Sequence, residues 1–151
     1  VIELGFKPEE FERLFAISNE CYVGDERPNI KEFRTMTGHD VFVARKQAPY
    51  GHPECGRIII IGFAVVASMN SNHPYLWSLA VTKEFQGCGV GGNLLREVIK
   101  RYTLSKPEIS LHVHPDNPAQ KLYFDYGFRV EGIARNWYKN RNGLFMRRPL
   151  P

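Results

Sequence analysis

Four glycines fall within six residues, Gly87, Gly89, Gly91 and Gly92, directly after Gln86 in the run Gln86-Gly87-Cys88-Gly89-Val90-Gly91-Gly92. Glycine lets successive backbone N–H groups turn toward one point with no side chain in the way. A helix starting there adds unpaired donors and the positive end of its dipole, so the chemistry such a turn suits is the holding of phosphate oxygens. Spacing excludes two common forms: there is no GxxxxGK[ST] loop, and no GxGxxG followed about twenty residues on by an acidic ribose ligand. A strand-to-helix turn without a ligand is the alternative reading. His112, in the run Glu108 to His114, carries the side chain best suited to moving protons near neutral pH. A neutral imidazole hydrogen-bonded beneath a sheet is its structural alternative. Tyr75 and Tyr123 bring hydroxyls, although a core tyrosine needs only some partner for its oxygen. Cys88 reads as packing within the turn, since an acyl-cysteine would need an adjacent base that the local sequence lacks.

The elements that must position these groups follow from periodicity. Tyr75 to Val81 is an apolar run that reads as a strand ahead of the glycine turn, and Leu94, Leu95, Val98 and Ile99 repeat at helical spacing over Gly89 to Leu104, with Lys106-Pro107 as a stop. Glu108 to His114 alternates as the next strand, parallel to the one before because a helix separates them. Pro118 is predicted at the first position of a short helix, Ala119 to Tyr126, closed by Gly127. Upstream, Val1 to Leu4 is a strand, Phe11 to Ile17 carries a helical stripe, and Cys21 to Pro28 is a loop. A second helix lies within Asn29 to Met36, and strands are predicted at Asp40 to Arg45 and Arg57 to Ser68, paired antiparallel. Phe128 to Ala134 and Leu144 to Arg148 are two further strands, joined by a polar turn at Asn140 to Gly143. The fold class is α/β: one mixed, mostly antiparallel sheet of about seven strands with helices on both faces. Its fourth and fifth strands, leaving the sheet in parallel, splay into a ligand crevice.

Length and composition narrow the function. The 151 residues suit one domain, and 43% apolar with 24% charged residues is ordinary globular composition. The longest apolar stretch, Ile58 to Ala67, is too short to cross a bilayer, and no signal-peptide pattern is visible; no membrane partner is expected. Cys21, Cys55 and Cys88 are an odd set without CxxC spacing, which points to a reducing, cytoplasmic setting and no metal site. The net charge of +4 gathers partly in Arg135, Lys139, Arg141, Arg147 and Arg148, interleaved with Trp137 and Tyr138. A basic surface beside an anionic ligand explains this without nucleic acid, which is not expected as a partner.

The pattern Gln86-x-x-Gly89-x-Gly91 opening a helix resembles the acyl-coenzyme A motif of the GCN5-related N-acetyltransferases. A second block, Asn117 to Phe128, resembles that family's segment Asn-x-x-Ala-x-x-Leu-Tyr-x-x-x-Gly-Phe, although one residue fewer separates Asn117 from Ala119. The resemblance covers nearly the whole chain and implies a single N-acetyltransferase domain over residues 1–151, with acetyl-CoA as cosubstrate. It implies that Gln86, Gly87, Cys88, Gly89, Val90, Gly91 and Gly92 hold the coenzyme diphosphate, with Asn117 and the strand residues Leu79, Ala80 and Val81 also on the coenzyme. A main-chain amide among those strand residues would stabilise the oxyanion, and Tyr123 would protonate the departing thiolate.

Within the family, the strand with Leu111-His112-Val113 and the preceding Tyr75 resemble the eukaryotic-type N-terminal acetyltransferases, in which the two side chains remove the amine proton through water. Asn136-Trp137-Tyr138-Lys139 resembles their peptide-clasping Asn-Tyr-Tyr run, with Trp137 in place of one tyrosine. Tyr22, Val23 and Gly24 would form the opposite wall around the acceptor's first residue, making a narrow channel. His39, His52, His73 and His114 have only surface or turn roles in this reading. The implied activity is transfer of an acetyl group to the α-amine of a protein or peptide, by a monomer or homodimer. An acetyltransferase for small amines or lysine side chains, with a wide acidic cleft, is one alternative. A non-catalytic acyl-CoA or peptide-binding module is another.

Overall fold

The computed structural model describes residues 1–67, 73–102, 108–138 and 141–149, apart from the side chain of Asp25. Ser68, Leu104, the Lys106-Pro107 stop, Lys139 and Asn140 therefore lie outside the described residues. The strands are β1 (Ile2–Leu4), β2 (Asp40–Gln47), β3 (Ile58–Ala67), β4 (Tyr75–Val81), β5 (Glu108–Val113), β6 (Arg129–Tyr138) and β7 (Arg141–Pro149). The helices are α1 (Phe11–Cys21), α2 (Ile30–Met36), α3 (Val90–Tyr102) and α4 (Ala119–Asp125). All seven strands join one sheet in the order β1-β2-β3-β4-β5-β7-β6, and every neighbouring pair is antiparallel except β4 with β5.

Strand alternation sends side chains to two cores. Val41 and Val43 of β2 meet Leu14, Ile17 and Phe33 from α1 and α2, whereas Phe42 and Ala44 face the cluster that holds Leu94, Leu95 and Val98 of α3. Helices therefore cover both faces. β3 is buried along nearly its whole length, as a central strand must be. α2 starts with a reciprocal cap: Asn29 Oδ1 accepts from the Glu32 N–H at 2.9 Å, and Glu32 Oε2 accepts from the Asn29 N–H at 2.8 Å. Among the described residues no helix is long and apolar enough to cross a membrane.

Among the described residues β4 and β5 pair at Tyr75↔Ser110 and Leu76↔Leu111 alone. Just beyond, β4 carries a bulge at Trp77, because Val65 of β3 faces Ser78 while Val66 faces Leu76. A bulge bends its strand, and here the two parallel strands separate toward their C-terminal ends. The hairpin of β6 and β7 is longer than its hydrophobic pattern predicts: Arg141 to Gly143, expected in the turn, are strand, and β6 runs on past Ala134 to Tyr138. Asn136 makes this possible by adopting φ 53°, with its N–H held at 3.0 Å by Asn142 Oδ1. Pro118 precedes α4 instead of starting it.

Gly62 of β3 lies opposite Val81, and a Cβ there would come 2.8 Å from the Ala80 carbonyl oxygen and 3.3 Å from Leu94 Cδ1. Since one contact is backbone, relief must come from moving β4. Gly62→Ala is expected to lower unfolding free energy by about 1–3 kcal/mol in urea denaturation; an unchanged midpoint and slope would show that β3 and β4 are not packed this closely.

Candidate active site

Two cavities open where β4 and β5 part. The first, about 740 Å³, runs from Leu79, Ala80 and Val81 of β4 to the glycine turn on one side and to Asn117 and Tyr123 on the other. Gln86 Nε2 donates to the Val81 carbonyl at 2.9 Å, tying the turn to the strand end. Gly87 and Gly89 sit at φ 79° and 85°, in the left-handed region where a side chain would be strained. The first bond into α3 runs from the Asn93 N–H to the Gly89 carbonyl, which leaves the N–H groups ahead of it directed out of the helix end. Gly91 and Gly92 are also needed for packing: Cβ atoms there would come 3.3 Å from Leu122 Cδ2 and 2.7 Å from Tyr126 Oη. Lys83 and Arg141 bring positive charge to the lining, and Glu20, Glu26 and Asp116 bring negative charge. A roomy, amide-lined cleft at a helix N-terminus fits a coenzyme diphosphate.

The predicted coenzyme residues Leu79, Ala80, Val81, Gln86, Gly87, Gly89, Val90, Gly91, Gly92 and Asn117 all line this cavity. Cys88 does not. Its thiol is exposed, 3.8 Å from the Gln86 carbonyl oxygen, because the left-handed residues on either side turn it to solvent; the packing role expected for it is corrected. Asn117 Oδ1 accepts from the Ala119 N–H at 2.9 Å and so also fixes the start of α4.

The second cavity, about 570 Å³, brings together Tyr75, His112, Trp137 and Tyr138. It shares Tyr22, Glu26, Leu79, Asn117 and Tyr123 with the first. Tyr75 Oη lies 2.8 Å from His112 Nδ1. Burial pushes the Tyr75 hydroxyl well above the ordinary tyrosine range, helped by nearby Tyr138, and pushes the His112 imidazole below the ordinary histidine value. Tyr123 is buried edge-on to Phe128 at 5.8 Å, and burial raises its hydroxyl strongly as well. It stays a neutral phenol, and therefore a donor, throughout the physiological range.

The wall opposite differs from expectation. Tyr22 lines both cavities, but its hydroxyl turns to β4, donating to the Leu79 carbonyl at 3.0 Å and accepting from the Leu79 N–H at 3.2 Å and Ser78 Oγ at 3.0 Å. Val23 is 61% exposed and lines neither cavity, nor does Gly24, whose φ of 60° directs the chain into a 3₁₀ turn. Their expected contact with the acceptor is replaced by Glu26, Arg27 and Pro28 of the same loop, with Met36 of α2. Arg27 fixes the loop by donating to the Tyr22 and Asn19 carbonyls. Loop composition identified the segment, but no periodicity within a loop tells which of its residues turn inward. Trp137 stacks on His112, ring centres 3.6 Å apart and planes 9° apart, so its face is occupied by the imidazole. His114, for which a surface or turn role was expected, serves the turn: its Nδ1 accepts from the Asp116 N–H at 3.1 Å, while its ring is buried 5.8 Å from Tyr138. Among the described residues no group of His, Cys, Asp and Glu gathers to hold a metal ion.

Comparison with known proteins follows the same outline. The model of the acetyltransferase (GNAT) family matches residues 11–128. A [ribosomal protein bS18]-alanine N-acetyltransferase of Haemophilus influenzae is 32% identical over 87 residues, 56% of this chain and 58% of that protein, so the match spans little more than half of the relative. The ribosomal-protein-S18-alanine N-acetyltransferase of Escherichia coli shares the fold with a TM-score of 0.79 at 20% identity, over 99% of this chain and 94% of that one. Naa50 of Arabidopsis thaliana, solved with the bisubstrate analogue CoA-Ac-MVNAL, does so with a TM-score of 0.76 at 20% identity, over 97% of each chain. The family match over most of the sequence and the cleft between β4 and β5 lead to one assignment: the chain belongs to the acetyltransferase (GNAT) family.

Proposed function

We propose that residues 1–151 act as one N-acetyltransferase domain that transfers the acetyl group to the N-terminal α-amine of a protein or peptide. The observation that carries this reading is the Tyr75–His112 pair, 2.8 Å apart, lining the second cavity together with Tyr123, which both cavities share. Bound acetyl-CoA supplies an activated thioester. The N–H groups of the Gln86 to Gly92 turn receive its diphosphate. The Leu79 N–H, which now faces Tyr22 at the junction, is the main-chain donor for charge developing on the acyl oxygen.

An amine attacks only when its nitrogen lone pair is free, so an ammonium must first lose a proton. Tyr75 and His112 take that proton as a unit, through water. Whichever of the two holds the shared hydrogen at the outset, one added proton leaves the same state: an imidazolium whose Nδ1–H donates to the Tyr75 oxygen. Tyr123 donates to the departing sulfur. Tyr138 on β6 and the loop carrying Tyr22 and Glu26 bound the space for the peptide, Glu26 being an acidic neighbour for the incoming ammonium.

A cavity of about 570 Å³ is larger than an amine alone requires, which favours a peptide. The Haemophilus influenzae relative, named for a ribosomal protein's alanine, and the peptide-bearing analogue on Arabidopsis thaliana Naa50 support the same acceptor class. Glu26 and Glu32 on the wall also suit a small cationic amine or a lysine side chain, the second reading. Free thiols at Cys21, Cys55 and Cys88 fit the cytoplasm.

Tyr123→Phe and His112→Ala are each expected to lower kcat by about 100-fold or more in a thiol-release assay with short peptides, while calorimetry shows coenzyme A bound as before. Full turnover in both variants would favour the binding-module reading, and faster turnover of free amines than of matched peptides would favour the second acceptor class. At saturating substrates, kcat should rise with pH through a midpoint below about 6.5, because the base works as neutral imidazole and burial moves its ionisation down. A rising limb that persists unchanged in His112→Ala would remove His112 from the mechanism.

A further inference from the structure

Trp137 is on β6, which is not a neighbour of β5 in the sheet; β7 lies between them. For its indole to reach His112 the side chain must cross β7, and the structure makes three provisions for this. Asn136, immediately before it, has φ 53°, and the β6–β7 register is irregular from Ala134 to Tyr138, which re-aims the side chain. On β7 the residue beneath the crossing is Gly143, where a Cβ would come 3.1 Å from Trp137 Cβ and 3.2 Å from its Cδ1 and Cγ. At the end of the crossing the indole lies flat on the imidazole, 3.6 Å away and 9° from parallel. On β7, Phe145 faces His112 in register and stands tilted at 5.2 Å, while Tyr75 fixes Nδ1.

We infer that Trp137 is a positioning residue for acetyl transfer that acts through His112: its indole face sets the plane of the imidazole on Tyr75, and Gly143 exists to let it cross β7. The inference rests on the reading of His112 as the proton acceptor. An aromatic face also attracts a cation. At a partly exposed site this attraction favours imidazolium over imidazole by an amount equivalent to about half a pH unit in the titration midpoint. Trp137 is 51% exposed, so the lower end of the range applies. Burial moves the His112 midpoint down and the indole holds it up, which keeps the ring a strong enough base to be useful. The other titratable and charged groups around the ring are Tyr75 on β4, Tyr123 on α4, Tyr138 on β6, and Glu26, Arg27 and Glu32 across the cavity. None of them lies against its face as Trp137 does.

The test measures the His112 ring titration by NMR in the whole protein, together with the pH profile of kcat. Trp137→Leu keeps apolar bulk without the π face. It is expected to lower the His112 midpoint by about half a pH unit, to move the rising limb of kcat by the same amount, and to lower kcat more than it raises KM for peptide. Trp137→Phe should restore most of the midpoint. Gly143→Val, which leaves both rings chemically intact, should reproduce the Trp137→Leu shift by obstructing the crossing. Coenzyme A affinity, measured alongside, confirms that each variant is folded. An unmoved His112 midpoint in Trp137→Leu, with only KM raised, would overturn the inference and return Trp137 to the peptide wall. If kcat and its pH limb survive His112→Ala, the base assignment itself falls, and the NMR midpoints still report whether the stack exists.

Discussion

The parting of β4 from β5 is the constraint on which the site depends. Two paired positions hold these strands together, and the bulge at Trp77 turns one away from the other at once. Backbone that would have been spent on a continuous ladder is released into the gap: the Leu79 N–H meets Tyr22 Oη in place of a strand partner, and the end of β4 runs into the glycine turn. Opening a sheet at its centre removes hydrogen bonds that a closed sheet would keep. The helices on its two faces offset this, since Phe33 and Phe63 on one side and Leu94, Leu95 and Phe128 on the other are almost completely buried. The core thus supports a local fault in the sheet, and under the proposed function that fault is where coenzyme and acceptor meet.

Chemistry at the junction is divided by environment. Tyr75 and Tyr123 are both tyrosines raised by burial, yet one is bonded to an imidazole and the other faces the shared end of the coenzyme cavity. Both hold their protons throughout the physiological range, but a phenol bonded to a neutral imidazole can relay a proton onto it, whereas Tyr123 can lend the one it holds. Under the proposed function, His112 is the group whose ionisation lies close enough to neutrality to decide the direction of transfer. Its surroundings are aromatic on several sides, and burial moves its ionisation down.

The glycine run, the strand–helix–strand order around it and the Asn117 to Phe128 block were legible because each is written in local terms: left-handed turns demand glycine, and buried helices and strands demand their periods. Tyr75 and His112, separated by 37 residues, were paired from the resemblance and stand at hydrogen-bonding distance. What was not legible depends on contacts across the sheet. Trp137 reads in sequence as one aromatic on a hairpin, and only Gly143, on the other side of the turn, shows why it can reach His112. Cys88 reads as part of the coenzyme turn but points to solvent, and Val23 reads as a wall but yields that place to Glu26 and Pro28. His114 takes the turn role read for it through the Asp116 N–H, and its burial beside Tyr138 depends on a contact from β6.

The most direct test is a crystal structure of the protein with a bisubstrate analogue in which coenzyme A is joined through its acetyl group to a short peptide. The account predicts diphosphate oxygens on the N–H groups of the Gly87 to Gly92 run, the acetyl carbon between Leu79 and Tyr123, and the peptide nitrogen on the side of Tyr75 and His112. A diphosphate bound away from the glycine turn, or a peptide entering on the side remote from that pair, would contradict it.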